Sequence, residues 1–262
     1  MAELIEHGLS FTEQRPDGSH QVGKRAVVIG AGIGYNEVQV HSALGGTAPV
    51  ESLTLIFDPA VAAKLAPCGI SLLDTPQEVF PAALAYLGLD PKSRDLGDLD
   101  KAFAALEKIR PYIRKFHSSQ YINDLANGDL CVALGYSGDV AQARNRAREA
   151  GNEWRSGFRV PKEGAMMSVD MLGIPADAPH RENALRFIDY LLRPAVIADI
   201  TNAVSYPNPN LSATALVRSE IRGDPAVYPP EDVRRRFYVD LPAPPDYERA
   251  RTRAWTRLKS GR

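Results

Sequence analysis
The sequence predicts an α/β fold. Three observations carry that expectation. Short apolar runs such as AVVIG (26–30), TLIFD (54–58) and DLCVALGY (129–136) read as strands. Apolar stripes at helical spacing stand between and after them. The alternation runs on past residue 24 without an internal repeat or low-complexity tract. Strands alternating with helices imply a substantially parallel sheet.

After TLIFD, Thr75 and Glu78 stand three apart around Pro76, the pattern of a capping box with proline at the first helical position. Behind them Val79, Phe80, Ala83, Leu84 and Leu87 form one apolar stripe, with Pro81 placed to kink the helix. Asp100 is expected to start a second helix, turning Phe103, Leu106 and Ile109 inward and ending at Pro111. Ser118 or Ser119 then caps a short helix carrying Tyr121, Ile122 and Leu125, which Gly128 terminates. DLCVALGY follows as a buried strand, and GDVAQARNRAREAG (138–151) as the next helix. A strand is expected around VDMLGIP (169–175), then helices at 181–192, with Ala184, Leu185, Phe187, Ile188 and Leu191 apolar, and at 195–203. The remainder is proline-rich and ends in one long helix. Its basic run ERARTRAWTRLKSGR (248–262) reads as a solvated face, with Trp255 and Leu258 turned inward.

Composition excludes several functions. The chain has 262 residues, 44% hydrophobic and 24% charged, and a formal net charge of −1. That balance offers no electrostatic case for a nucleic-acid or membrane-surface partner. No apolar run approaches the roughly 18 residues of a membrane span, and the N-terminus lacks the basic start and apolar core of a secretory signal. Cys68 and Cys131 fit neither a zinc spacing nor a CxxC motif, so they are two buried thiols or one disulfide.

AVVIGAGIGYN (26–36) tests a nucleotide-binding alternative. Gly30 and Gly32 supply half of a dinucleotide fingerprint, but Tyr35 stands where the third glycine belongs and Gly34 is one place early. Asp58 is the acid at a tolerable distance. A nicotinamide-dependent oxidoreductase built on Gly30–Gly34 is therefore the alternative, and a strand-to-loop crossing the preferred reading. No G-K-[ST] follows, and neither HExxH nor G-x-S-x-G occurs. His117, near Ser118 and Ser119, has no orienting acid in sight. No catalytic residue, metal or cofactor is expected.

What remains is a set of acids and aromatics at strand ends, where open α/β sheets bind ligands. Tyr136 and Asp139 follow the 129–135 strand. Ser168 and Asp170 share one face of the next strand. Tyr206 lies in the bend VSYPNPN, and Glu78 in the first turn of its helix. Each has a plainer role available: Asp139 and Glu78 as caps, Asp170 in a backbone or arginine pairing, the tyrosines as packing residues. Together they look more like a binding box than a reaction centre.

The stretch FHSSQYINDLANGDLCVALGYSGDVAQARNRA (116–147) closely resembles the periplasmic putrescine-binding proteins of polyamine ABC importers. So do VPKEGAMMSVDMLGIPADA (160–178), FIDYLLRP (187–194), YPPEDVRRRF (228–237), RTRAWTRLKSG (251–261) and GIGYN (32–36). The resemblance implies a two-lobed α/β solute-binding protein of the periplasm, not an enzyme, that closes on its ligand about a hinge marked by GIGYN. It implies a protonated polyamine, putrescine or spermidine, as ligand and a membrane permease as partner. Carboxylates would meet the ammonium ends and aromatic faces the methylene chain. By position, Glu78, Asp139, Asp170 and Tyr206 match family ligand contacts, and Cys68 and Cys131 match a pair that looks like a disulfide in the family. Tyr136 stands where the family has tryptophan and Ser168 where it has phenylalanine, which weakens the aromatic sandwich or widens the pocket. Residues 1–24 depart from the family, whose first lobe is longer. The resemblance therefore implies an N-terminally truncated chain: residues 1–31 a divergent edge of lobe 1, 32–150 and 205–262 lobe 2, and 151–204 a lobe 1 segment. Such a chain is expected to fold poorly alone and to bind polyamines weakly, or to survive as a non-transporting remnant.

Overall fold
The computed structural model describes residues 11–14, 20–240 and 242–261; the expected divergent edge at 1–31 lies partly outside them. The chain forms two compact units. The larger comprises Gly30–Met167 with Pro230 onward; the smaller comprises Ser168–Pro229 with the described residues before Gly30. These cuts differ from boundaries at 151 and 205. Residues 156–159 pair into the larger unit's sheet, and Ala213, Val217, Ile221 and Val227 complete the smaller unit's core.

The described strands are β1 (Phe11–Gln14), β2 (His20–Asn36), β3 (Ile70–Leu72), β4 (Ile113–Phe116), β5 (Val132–Tyr136), β6 (Ser156–Arg159), β7 (Ala165–Leu172) and β8 (Phe237–Tyr238). The described helices of seven residues or more are α1 (Glu37–Leu44), α2 (Pro59–Leu65), α3 (Pro76–Tyr86), α4 (Leu96–Ile109), α5 (Tyr121–Asn127), α6 (Ser137–Glu149), α7 (Arg181–Leu191), α8 (Pro194–Val204) and α9 (Pro245–Ser260). In the larger unit β3 runs parallel to both β4 and β5, as helical crossovers require. β2, however, meets β5 and β6 antiparallel, so the sheet is mixed rather than substantially parallel. Alternating strand and helix signals reveal crossovers but not the direction of a strand that enters ahead of them. β7 and β8 add a parallel pair.

The glycines of β2 serve close packing. A Cβ on Gly32 would stand 2.6 Å from the Phe158 ring and 2.7 Å from the Arg159 carbonyl oxygen, and one on Gly34 would stand 2.6 Å from Val140 Cγ2. Both lie inside a continuous strand, and α1 starts only after Asn36, whose side chain accepts from Gln39 N–H. The phosphate-binding alternative needs a glycine turn there, and the chain makes none.

Four local expectations are corrected. TLIFD is a helical turn, Thr54–Phe57, with Leu55, Ile56 and Phe57 all buried in succession; a run without polar alternation does not distinguish strand from buried turn. α4 starts at Leu96, because Asp95 accepts from Asp98 N–H and caps it ahead of Asp100. α5 has Gln120 at its N-cap with no side-chain cap hydrogen bond; His117 closes the turn ahead of it, its Nδ1 accepting from the Ser119 and Gln120 N–H groups, while Ser118 instead accepts from Asp74 N–H. The Thr75–Glu78 capping box does not form: the Thr75 hydroxyl turns to Gln77, which frees the Glu78 carboxyl for another partner.

The core lies between the sheet and these helices. Val79, Phe80, Ala83 and Leu84 are fully buried on α3, while Leu87, the last of the expected stripe, is 40% exposed beyond its end. α9 carries Trp255 edge-on to Phe80 and Phe116, with Leu258 buried beside it. Cys68 and Cys131 form a disulfide joining the loop after α2 to the start of β5. In the chain-entropy account, closing a loop of 63 residues restrains the unfolded chain by about 4 kcal/mol.

Candidate functional site
In the larger unit, Glu78 sits in the first turn of α3 with 7% of its surface exposed. Val79 and Phe80 anchor the helix in the core, and this turns Glu78 toward the end of β5. There Tyr136 Oη donates to Glu78 Oε2 at 2.8 Å. Ala31, Leu53, Leu134, Met166 and Tyr238 also line the surrounding space, which measures about 10 Å³, the volume of one water. No cation pairs with Glu78 among the described residues. Burial therefore dominates its ionisation and pushes the carboxyl up to about 7, against the opposing pull of the Tyr136 hydrogen bond. Burial likewise drives the Tyr238 phenol far above its ordinary value, helped by Asp240 and Glu78.

Asp139 is held differently. It lies in the first turn of α6, where the helix dipole favours an acid. Tyr121, fully buried on α5, donates its hydroxyl to Asp139 Oδ2 at 2.7 Å. The same hydroxyl oxygen accepts from Tyr136 N–H at 2.9 Å. A backbone N–H only donates, so the Tyr121 proton is directed at the carboxylate. Gly135 makes this chain possible, because a Cβ there would stand 2.6 Å from the Tyr121 ring. α5 is itself fixed by Lys115, which pairs with its Asp124 at 2.5 Å.

The larger unit thus brings Glu78, Tyr136 and Asp139 together through Tyr121. In the smaller unit, Ser168 and Asp170 alternate on β7, Ser168 half-buried and Asp170 exposed. Tyr206 follows Ser205, which closes α8 at φ 58, the left-handed region that non-glycine residues rarely adopt. Asparagines clamp this bend: Asn208 Nδ2 donates to Thr201 Oγ1 at 2.9 Å, and Asn210 Nδ2 to the Leu192 carbonyl at 2.9 Å. Fixed backbone of this kind presents a side chain in one orientation.

Sequence reasoning missed two residues, Tyr121 and Tyr238. Each looks like a packing aromatic in its own segment. Only the topology that sets α5 beside β5 gives the Tyr121 hydroxyl its role, and only the pairing of β8 with β7 brings Tyr238 to the space beside Glu78. It also treated Tyr136 as a reduced aromatic face, whereas its hydroxyl donates to the Glu78 carboxylate.

Comparison with known proteins identifies the family. The family described as bacterial extracellular solute-binding protein matches residues 28–229. The chain belongs to that family. It is 52% identical over 232 residues to the putrescine-binding periplasmic protein PotF of Escherichia coli, covering 88% of this chain and 63% of PotF. It is 48% identical over 231 residues to the putrescine-binding periplasmic protein SpuD of Pseudomonas aeruginosa, with the same coverage of 88% and 63%. The chain thus spans less than two thirds of the length of these relatives. Among solved structures, the spermidine/putrescine ABC transporter substrate-binding protein PotD of Streptococcus pneumoniae superposes with a TM-score of 0.74 at 23% identity, over 91% of this chain and 68% of that one. The Agrobacterium tumefaciens binding protein MotA, in complex with glucopine, gives 0.68 at 17% identity, over 90% and 71%. These structures establish the two-lobed α/β binding-protein fold. An oxidoreductase finds no support.

Proposed function
We propose that the chain is the ligand-binding component of an ABC importer for polyamines of the putrescine or spermidine type. It works in the periplasm, hands its ligand to a membrane permease and catalyses no reaction. One observation carries this reading: Glu78 is a buried carboxyl with an aromatic hydroxyl for a partner and, among the described residues, no cation paired to it, which suits an arriving ammonium group. Asp139, oriented by Tyr121, offers a second anion in the same unit. The names of PotF and SpuD support putrescine as the ligand class. Ligand-binding roles are proposed for Glu78, Tyr136 and Asp139 in the larger unit, and for Ser168, Asp170 and Tyr206 in the smaller. The Cys68–Cys131 disulfide suits an oxidising compartment.

Calorimetric titration of the 262-residue chain with putrescine and with spermidine tests the reading. Binding that Asp139→Asn abolishes supports it. Binding that Asp139→Asn and Glu78→Gln both leave intact, or thermal stabilisation by NAD in place of a polyamine, sinks it.

A further inference from the structure
Glu78 meets few ionisable neighbours. From β5 comes the Tyr136 phenol, hydrogen-bonded to it, and from β8 the Tyr238 phenol, with Asp240 beyond. The elements that pack most heavily on α3 are α4, α9 and the Thr54–Phe57 turn. On α4, Lys101 binds Asp98, and Lys108 is exposed at the surface. On α9, Arg251 binds Glu248, Lys259 binds Asp74, and Arg257 covers the Phe103 ring. The turn carries no charge. Among the described residues the carboxyl is thus walled by apolar groups and two phenols, and none of them supplies it with a cation.

We propose that ligand capture at this site is coupled to proton release: an ammonium group arriving at Glu78 displaces the proton its carboxyl carries. This rests on the polyamine reading above. The exchange balances, since the neutral acid gives its proton to solvent and the resulting carboxylate pairs with the ammonium, which keeps its own protons. Asp139, already an acceptor from Tyr121, takes no part. The raised ionisation of Glu78, about 7, places the coupling near neutrality. Above that value the carboxylate stands ready; below it, affinity falls by up to about tenfold per pH unit.

Titration of the 262-residue chain with putrescine at pH 6 and pH 8, each in two buffers of different ionisation enthalpy, reads the proton directly. The expected result is nearly one proton released per ligand at pH 6, almost none at pH 8, and about tenfold weaker binding at pH 6. Tyr136→Phe removes the hydroxyl that favours the ionised form, so it should move the onset of weakening to higher pH. A merely structural loss would weaken binding equally at both. In the ligand-free protein, carboxyl-carbon NMR should show Glu78 titrating near neutrality, and a midpoint at an ordinary carboxylate value would overturn the coupling. Equal affinity at both pH values without buffer dependence would also overturn it and leave the polyamine reading standing. No heat at either pH would refute the polyamine reading itself.

Discussion

The two units answer the same sequence signal in opposite ways. α3 in the larger unit and α7 in the smaller both carry apolar residues at helical spacing. On α3 that stripe is buried through Val79, Phe80, Ala83 and Leu84. On α7 only Ile188 is buried, while Phe187 is 59% and Tyr190 50% exposed. Helical periodicity reports which residues share a face; whether anything covers that face is a tertiary fact. The larger unit is packed tightly enough to demand glycines at 32, 34 and 135 and still holds Glu78, a buried carboxyl with no cation paired to it among the described residues. The smaller unit is organised around a modest cluster, Ile197, Ala198, Ala213, Val217, Ile221 and Val227.

The sharpest test of this contrast substitutes two phenylalanines. Phe80→Ala should cost about 4 kcal/mol in urea unfolding, because it opens a cavity beside Trp255. Phe187→Ala should stay within about 0.5 kcal/mol. Similar losses would erase the distinction between the units. Next comes Glu78→Gln. An acid whose folded value is raised above 4.5 to about 7 contributes stability that is full below about pH 4.5 and lost as pH rises through 7. The variant should therefore be the more stable protein at pH 8, by up to about 3 kcal/mol, and the advantage should vanish by pH 4. Thermal melts across that range check it, and a wild type whose stability is flat between pH 5 and 8 would contradict it. Gly34→Ala should cost about 2 kcal/mol by forcing Val140 aside, measurable by the same unfolding assay. The smallest effect is expected of Tyr121→Phe. It strands the Tyr136 N–H without its acceptor at about 1 kcal/mol, and should weaken putrescine binding by more than its stability loss accounts for.

Much of the fold was legible because its signals are local. Gly128 ends α5 in the left-handed conformation, as its lack of a side chain allows. Trp255 and Leu258 face inward on α9, as their spacing implies. Where a polar side chain had a choice of partners, local reasoning chose the nearest one. Thr75 and Glu78 have capping-box spacing, yet burial beside Tyr136 claims Glu78, and Ser118 turns to Asp74 N–H while His117 closes the turn ahead of α5. Those choices are settled by residues distant in sequence. The direction of β2 and the hydroxyl of Tyr121 escaped for the same reason. Ser168, Asp170 and Tyr206 rest on resemblance, since their own segments give each a plainer role.

The disulfide has a consequence of connectivity. Its ring runs from Cys68 to Cys131, so Glu78 and Tyr121 both lie inside it and Tyr136 and Asp139 follow just after its closure. α3, α4, β4 and α5 therefore stay linked as a cycle even when every weak contact between them has been lost. The residues that shape the site never disperse as far as a linear chain would allow. Reduction of that one bond opens the ring, and in the unfolded chain Tyr121 is then tied to Asp139 by the intervening backbone alone.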